Sequence, residues 1–156
     1  MNILREELKN NQNNGFSLIE LVIVLAILGV AAAIAAPSFM AYRDNSNLKE
    51  AVREISSDIQ MYKQKTVSEN IRYRIAFIAA TNKYTIQRET AGVWGNVTAK
   101  TVGVGHSNIK ILGDPTFVDD TITFQTRVTA NAGQLQLQHT KRLSKAKITT
   151  SRMGRV

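Results

Sequence analysis

The spacing of apolar residues divides the chain into four stretches. Residues 1–15 are polar, and residues 16–36 are apolar apart from one charge, Glu20. Across residues 37–70 apolar side chains recur at alternating intervals of four and three, and across residues 71–156 the period falls to two. These periods predict a hydrophobic helix that continues as an amphipathic helix, followed by a β domain.

The apolar stretch is long enough to span a bilayer. Its 21 residues would form a helix of about 30 Å, which matches the hydrocarbon core of a membrane. A buried core helix and a secretory signal peptide are the alternatives. A signal peptide has a basic N-terminal region, whereas here Glu6 and Glu7 accompany Arg5 and Lys9. We therefore favour a membrane-compatible helix.

Glu20 is the unusual residue of this segment. A carboxylate between Ile19 and Leu21 costs at least ~2.5–3.5 kcal/mol in lipid unless it is paired or neutralised. The neighbouring residues offer no cation. A cut between Gly15 and Phe16 would create an α-amino group four residues before Glu20, on the same chain or on a neighbour. Such a cut would supply the missing partner.

Two residues weaken the predicted helix internally. Glycine in a helix interior costs ~1 kcal/mol and proline ~3 kcal/mol, and Gly29 and Pro37 stand at either end of a small-residue stretch. We expect a mild kink in one long helix for an isolated subunit.

The amphipathic helix presents one apolar stripe and is expected to end near Asn70. The residues of the stripe are Leu48, Val52, Ile55, Ile59 and Tyr62. Charged residues, Asp58 among them, are assigned to the other faces. Because strand-like sequence follows, packing on a sheet is favoured over a coiled coil.

Period-two alternation predicts a hairpin and several later strands. The hairpin comprises residues 71–79 and 83–88, with a turn at 80–82. The later strands are residues 109–112, 121–125, 134–140 and 146–150, with a turn at 131–133. No strand is predicted in the glycine-rich residues 91–107, where Val93 and Trp94 are expected to be anchors. The predicted fold class is α+β, with the long helix packed on an antiparallel β domain.

Composition argues against an enzyme. The 156 residues contain no cysteine, which excludes disulfides, thiolate zinc sites and cysteine nucleophiles, and only two histidines, His106 and His139. Both histidines are expected to be surface or strand residues. The three aspartates Asp114, Asp119 and Asp120 fit no standard calcium loop. We therefore predict no catalytic residues, no cofactor and no metal.

The C-terminal part is basic. The chain has a formal net charge of +8, and from Arg127 onward it contains no Asp or Glu. Candidate anion-binding residues are Lys141, Arg142, Lys145, Lys147, Arg152 and Arg155. They form either a solvated face, which keeps the protein in solution or meets anionic lipid, or a DNA-binding surface. Five contacts to DNA phosphates would give a slope of log affinity against log salt near about −4.5.

The stretch GFSLIELVIVLAILGVAAAIAAPSF resembles the N-terminal segment of type IV pilins and type II secretion pseudopilins. The residues at the family's spacing are Gly15, Phe16, Leu18, Glu20 and Pro37. The resemblance implies that residues 1–15 are a leader, which a prepilin peptidase removes after Gly15 before it N-methylates Phe16. It further implies that Leu18, Glu20, Gly29 and Pro37 act in assembly, and that the helix between Gly29 and Pro37 can unwind in a filament. The leader departs from the family, whose leaders are usually more basic.

Two later stretches, ITFQTRVTANAGQLQL and KAKITTSRMGRV, resemble the GspH/FimT group of minor pilins and pseudopilins. The matching residues are Phe124, Gly133, Leu135, Leu137, Ile148, Gly154 and Arg155. This resemblance implies a structural subunit of a type II secretion pseudopilus or type IV pilus. Its partners would be other pilin subunits, the peptidase and lipid.

The same resemblance implies a single-pass protein of the bacterial inner membrane, with the C-terminal domain periplasmic or extracellular, that enters a filament on assembly. FimT-like pilins bind DNA through a Gly-Arg-rich C-terminal stretch, which Gly154 and Arg155 partly match. A DNA-binding minor pilin for transformation and an uncleaved membrane-anchored binding module are therefore the alternative functions.

Overall fold

The computed structural model describes residues 15–105, 108–127 and 129–152. They fall into two compact units that divide between Met40 and Ala41. One helix, α1, runs from Leu18 to Glu69 and contains Gly29 and Pro37. The prediction of one long helix is confirmed.

The described residues from Tyr73 onward contain eight strands and two short 3₁₀ turns. The strands are β1 (Tyr73–Ile78), β2 (Lys83–Thr90), β3 (Val93–Thr101), β4 (Ile109–Ile111), β5 (Thr121–Gln125), β6 (Thr129–Ala130), β7 (Gly133–His139) and β8 (Lys145–Thr150). The turns are Ala79–Thr81 and Val118–Asp120. All pairings are antiparallel, in a five-stranded sheet of order β3-β2-β1-β5-β6 and a three-stranded sheet of order β4-β7-β8.

One hydrophobic core joins the helix to the inner faces of both sheets. From Ala41 onward, α1 buries seven residues: Leu48, Ala51, Ile55, Asp58, Ile59, Tyr62 and Thr66. The strands contribute alternate residues, including Ile75, Ile86, Ile122 and Leu135, each fully buried. The predicted helix-on-sheet α+β fold is confirmed.

The assignment of Asp58 to a face other than the buried one is wrong. Asp58 is 5% exposed; it accepts a 2.7 Å hydrogen bond from the Tyr84 hydroxyl and bonds of 2.8 and 2.9 Å from Lys100 Nζ. Burial and this bond raise the pKa of Tyr84 far above its usual range. Sequence spacing alone could not show that a cation and a hydroxyl from two neighbouring strands meet this carboxylate.

The hairpin predicted around residues 80–82 is confirmed, and Asn82 closes it. Asn82 adopts a left-handed conformation, with φ of 55°, which asparagine tolerates better than most residues. Its side-chain amide donates to the carbonyls of Ile109 at 2.8 Å and Val102 at 3.3 Å, and its oxygen accepts from Ile111 N at 2.9 Å. One turn residue thereby ties β4 to the β1–β2 hairpin.

A strand lies at Val93–Thr101, in a stretch to which the sequence assigns no element. Strand β3 has nine residues and pairs with β2 through a two-residue turn of Ala91 and Gly92, both with positive φ. Val93 is 70% exposed and is no anchor. Trp94 is only half-buried and carries the Arg74 guanidinium 4.4 Å from its ring centroid. Because β3 is an edge strand with little cover, it lacks the apolar alternation that reveals a strand.

Candidate assembly segment and basic surface

The first part of α1 leaves its apolar side chains uncovered. Those between Phe16 and Ile34 range from 43% exposed at Val24 to 80% at Phe16 and Leu18. By length and composition, this is the one helix among the described residues that could cross a membrane. Covering a dozen such side chains would gain on the order of 10 kcal/mol. A second medium or a second protein must provide this cover.

Glu20 lies in the first turn of α1. Ser17 precedes the helix, and its carbonyl accepts the first helical hydrogen bond, from Leu21 N at 3.1 Å. The partial positive charge of a helix N-terminus favours an acidic side chain there. Within residues 15–105, 108–127 and 129–152, no cationic side chain contacts Glu20. Phe16, on which the predicted cleavage would create an amine, lies two residues before the helix begins.

The chain itself does not require glycine at position 29. A Cβ added to Gly29 would meet nothing within 4 Å. Alanine would also stabilise the helix there by about 1 kcal/mol, because its helix propensity is higher than that of glycine. Among the described residues, nothing contacts this position closely enough to require glycine.

Arg142 is already engaged by an acid. Its Nε donates a 2.8 Å hydrogen bond to Asp44 Oδ2, and His139 Nε2 lies 3.6 Å from Asp44 Oδ1. The Arg142 hydrogen bond, with help from His139 and against partial burial, holds the pKa of Asp44 below its usual value. His139 is the last residue of β7 and is 1% exposed, so its prediction as a strand residue is confirmed. Arg142 is thus a weaker anion ligand than the sequence suggests.

Two predicted lysines lie on the outer face of the three-stranded sheet. Along β8, the exposed Lys145 and Lys147 alternate with residues that face inward, such as the buried Ile148. Gln138 pairs with Lys145 on one side and with Lys110 on the other, which places these three residues in one row across the sheet. No strand of this sheet contains an acidic residue. Lys110 is absent from the predicted set, although the Ile-Lys-Ile alternation could have indicated it.

Arg152 occupies a different place. It lines a depression of about 610 Å³ together with Arg74, Asp119 and the threonines of β5 and β6. Arg74 is held there by a 2.5 Å hydrogen bond from its Nε to Gln87 Oε1. Lys141 is exposed in the turn after β7, whereas Gly154 and Arg155 lie outside the described residues. The structure thus distributes the candidate basic residues over separate surfaces.

The predicted acidic and histidine positions give no metal centre in the part of the chain that the structure describes. No group of three or more His, Cys, Asp or Glu gathers there. Asp119 and Asp120 both have positive φ in the turn that leads into β5, and Thr121 Oγ1 donates to the Asp119 carbonyl at 2.7 Å. Asp114 is exposed, and His106 is outside the described residues.

The N-terminal segment is similar to known pilins. Residues 10–36 match the family described as the prokaryotic N-terminal methylation motif. The type IV major pilin protein PilA of Myxococcus xanthus is 41% identical over 64 residues, which are 41% of this chain and 29% of that protein. A fimbrial protein of Pseudomonas aeruginosa is 49% identical over 43 residues, 28% of each chain. The similarity thus spans less than a third of these relatives' length.

The fold is similar to that of solved minor pseudopilins and pilins. The minor pseudopilin EpsH of the type 2 secretion system of Vibrio cholerae superposes with a TM-score of 0.58 at 11% identity, covering 70% of this chain and 93% of that one. The type IV minor pilin FimU of Pseudomonas aeruginosa gives a TM-score of 0.55 at 14% identity, covering 73% and 89%. At these identities the likeness concerns the fold.

Proposed function

We propose that this chain, which resembles type IV pilins in its N-terminal motif and minor pseudopilins in its fold, is a minor subunit of a type IV pilus or a type II secretion pseudopilus. Pilins and pseudopilins are structural proteins rather than enzymes. The observation that carries the proposal is the uncovered apolar part of α1, which holds one acidic residue, Glu20, in its first turn.

Processing would convert this segment into an assembly element. Cleavage after Gly15 by a prepilin peptidase leaves Phe16 as the first residue, and its N-methylated amine stays cationic at neutral pH. The amine then neutralises Glu20 of its own chain or of an adjacent subunit. In a low-dielectric environment this pairing offsets a desolvation cost of several kcal/mol for each charge.

Packing in the filament would cover the remaining surface. Before assembly, residues 16–36 hold the chain in the inner membrane, with the unit from Ala41 onward on the periplasmic side. In the filament the same side chains pack among the helices of neighbouring subunits. Gly29 allows close approach of a neighbouring helix, and local unwinding between Gly29 and Pro37 adjusts the helix to the filament.

The N-terminus and Glu20 provide the direct test. Mass spectrometry of protein from its native host should find N-methylated Phe16 as the first residue. Glu20→Ala should reduce incorporation into sheared filaments at least tenfold while the circular dichroism of the β sheets is unchanged. Asp114→Ala, which removes an exposed carboxylate elsewhere, should assemble normally. An intact Met1 in working filaments, or normal assembly of Glu20→Ala, would contradict the mechanism; an intact Met1 without filaments would favour the anchored binding module.

A DNA-receptor role is the second candidate, and the acid-free outer face of the β4-β7-β8 sheet supports it. Simultaneous Lys110→Ala and Lys147→Ala substitutions should weaken duplex DNA binding and make the slope of log affinity against log salt shallower by about 1.8. A Lys83→Ala variant, changed on the other sheet, serves as control. Absence of DNA binding in the unmodified chain would remove this role.

A further inference from the structure

A groove runs between helix α1 and strand β8, within the unit that begins at Ala41. Its volume is about 370 Å³. Leu48, Val52 and Ala146 provide an apolar lining, and a 3.3 Å hydrogen bond from Ser144 Oγ to Asn45 Oδ1 joins its two walls. The groove thus has both a helical wall and a strand wall.

Strand β8 ends its sheet. In the order β4-β7-β8 it pairs with β7 alone, and no other strand of the described residues pairs with its second edge. The backbone groups along such an edge can accept another strand. Because β8 itself lines the groove, an added strand could place side chains against the apolar lining.

The charged residues that line the groove are all positive. Lys49 and Arg53 from the helix and Lys145 from the strand line it, and all three are exposed. Among the described residues that line the groove none is acidic; Glu50 lines a neighbouring depression that shares Asn45, Lys49 and Arg53 with the groove. Lysines on an edge strand discourage pairing with another chain, and opposite charges on the incoming strand offset this effect. A second copy of β8 is disfavoured for the same reason, since its lysines would meet Lys145 and Lys147.

We propose that the second edge of β8, with which no other described strand pairs, receives an extended acidic segment of another polypeptide chain. The segment adds as a fourth strand and places apolar side chains on its helix side beside Val52 and Ala146. It carries carboxylates on its outer side beside Lys145 and Lys147, while Lys49 and Arg53 add positive charge at the helical wall. The backbone bonds provide affinity, and these cations select acidic sequences. This inference does not rest on cleavage or filament formation.

The test uses the purified full chain in detergent. The probe is a fluorescent eight-residue peptide of alternating valine and glutamate, and its control is the same peptide with every amide nitrogen methylated. The unmodified peptide should raise fluorescence anisotropy and slow amide hydrogen exchange in β8 at least tenfold. Strand β3, the edge of the other sheet, should show no change and is the internal control.

Matched charge reversals separate the groove from general attraction. Lys49→Glu with Lys145→Glu should weaken peptide binding at least tenfold. Lys83→Glu with Arg88→Glu makes the same change in net charge on β2 of the other sheet and should alter binding by less than twofold. Equal losses in the two double variants would overturn the proposal.

Three other results would also overturn it. The first is no binding of the unmodified peptide, and the second is equal binding of the methylated peptide. The third is equal protection of β8 by a twelve-base-pair DNA duplex, which would make this surface a general anion site. Each readout is independent of N-terminal processing, so failure here would leave the proposed pilin function untouched.

Discussion

The structure requires glycine at position 133 because the Phe117 side chain lies against it. A Cβ at this position would lie 2.1 Å from Phe117 Cδ1 and 2.6 Å from Cε1. Its φ lies outside the left-handed region, so the backbone itself would accept alanine. We expect Gly133→Ala to destabilise the β domain through this clash alone.

The size of the effect follows from the surroundings of Phe117. Restoring an ordinary contact of about 3.5 Å requires the ring to retreat by about 1.4 Å. Phe117 is 4% exposed and stacks on Phe77, with ring centroids 6.0 Å apart, so little space is available. Overpacking of a core costs ~1–3 kcal/mol, and complete loss of a phenylalanine from a core costs ~3–5 kcal/mol. We therefore expect a loss of about 3 kcal/mol in the free energy of unfolding.

Urea titration of the full chain, followed by the fluorescence of Trp94, measures this loss. With a typical urea slope, the midpoint should fall by about 1–2 M. Gly95→Ala is the matched control, because its nearest neighbour, the Arg88 carbonyl, would lie at an ordinary 3.9 Å. The control should change stability by less than about 0.5 kcal/mol. In a Phe117→Ala background the penalty of Gly133→Ala should disappear, which corresponds to a coupling energy of about 3 kcal/mol. Equal effects of the two glycine substitutions, or additivity with Phe117→Ala, would refute the reasoning.

Two further predictions concern buried and paired carboxylates. Tyr84→Phe removes the hydroxyl that donates a hydrogen bond to Asp58 and should lower the free energy of unfolding, measured in urea, by about 1.5–3 kcal/mol. Tyr42→Phe, at a residue that is 73% exposed, is the control and should cost almost nothing. Equal costs of the two substitutions would contradict the importance of the Tyr84–Asp58 hydrogen bond. Asp44 has a lowered pKa in the folded state, so its contribution is complete above the unfolded value of 3.8 and is lost as the pH falls through the folded value. Asp44→Asn should therefore lower the urea midpoint at pH 7 and lower it less at about pH 2. If the midpoints of the variant and the unmodified chain differ by the same amount at both pH values, the pairing of Asp44 with Arg142 is unimportant for stability.

Local periodicity was enough to determine the helical and hairpin elements. The apolar length of residues 16–36 and the four-and-three spacing that follows are properties of consecutive residues, so they required no knowledge of contacts. The prediction of the β1–β2 hairpin succeeded for the same reason, because its apolar alternation and its turn are adjacent in sequence. The resemblance of the N-terminal segment to pilins likewise depended on spacing within one short stretch.

The features that the sequence did not predict depend on the edge position of a strand and on contacts between residues distant in sequence. β3 was missed because an edge strand can form from backbone hydrogen bonds to β2 without an apolar stripe of its own. Asp58 is buried because Tyr84 and Lys100 reach it from β2 and β3, and Arg142 is engaged because the turn after β7 meets Asp44.

The amino-acid sequence by itself thus determined which segments are helical, which are strand-forming and where a lone carboxylate stands in an apolar helix. Only the tertiary structure decided which charges are paired, which strand edge is open and why Gly133 must lack a side chain. The physical reason is that periodicity depends on neighbours along the chain, whereas burial, pairing and steric fit depend on residues that folding brings together from distant positions.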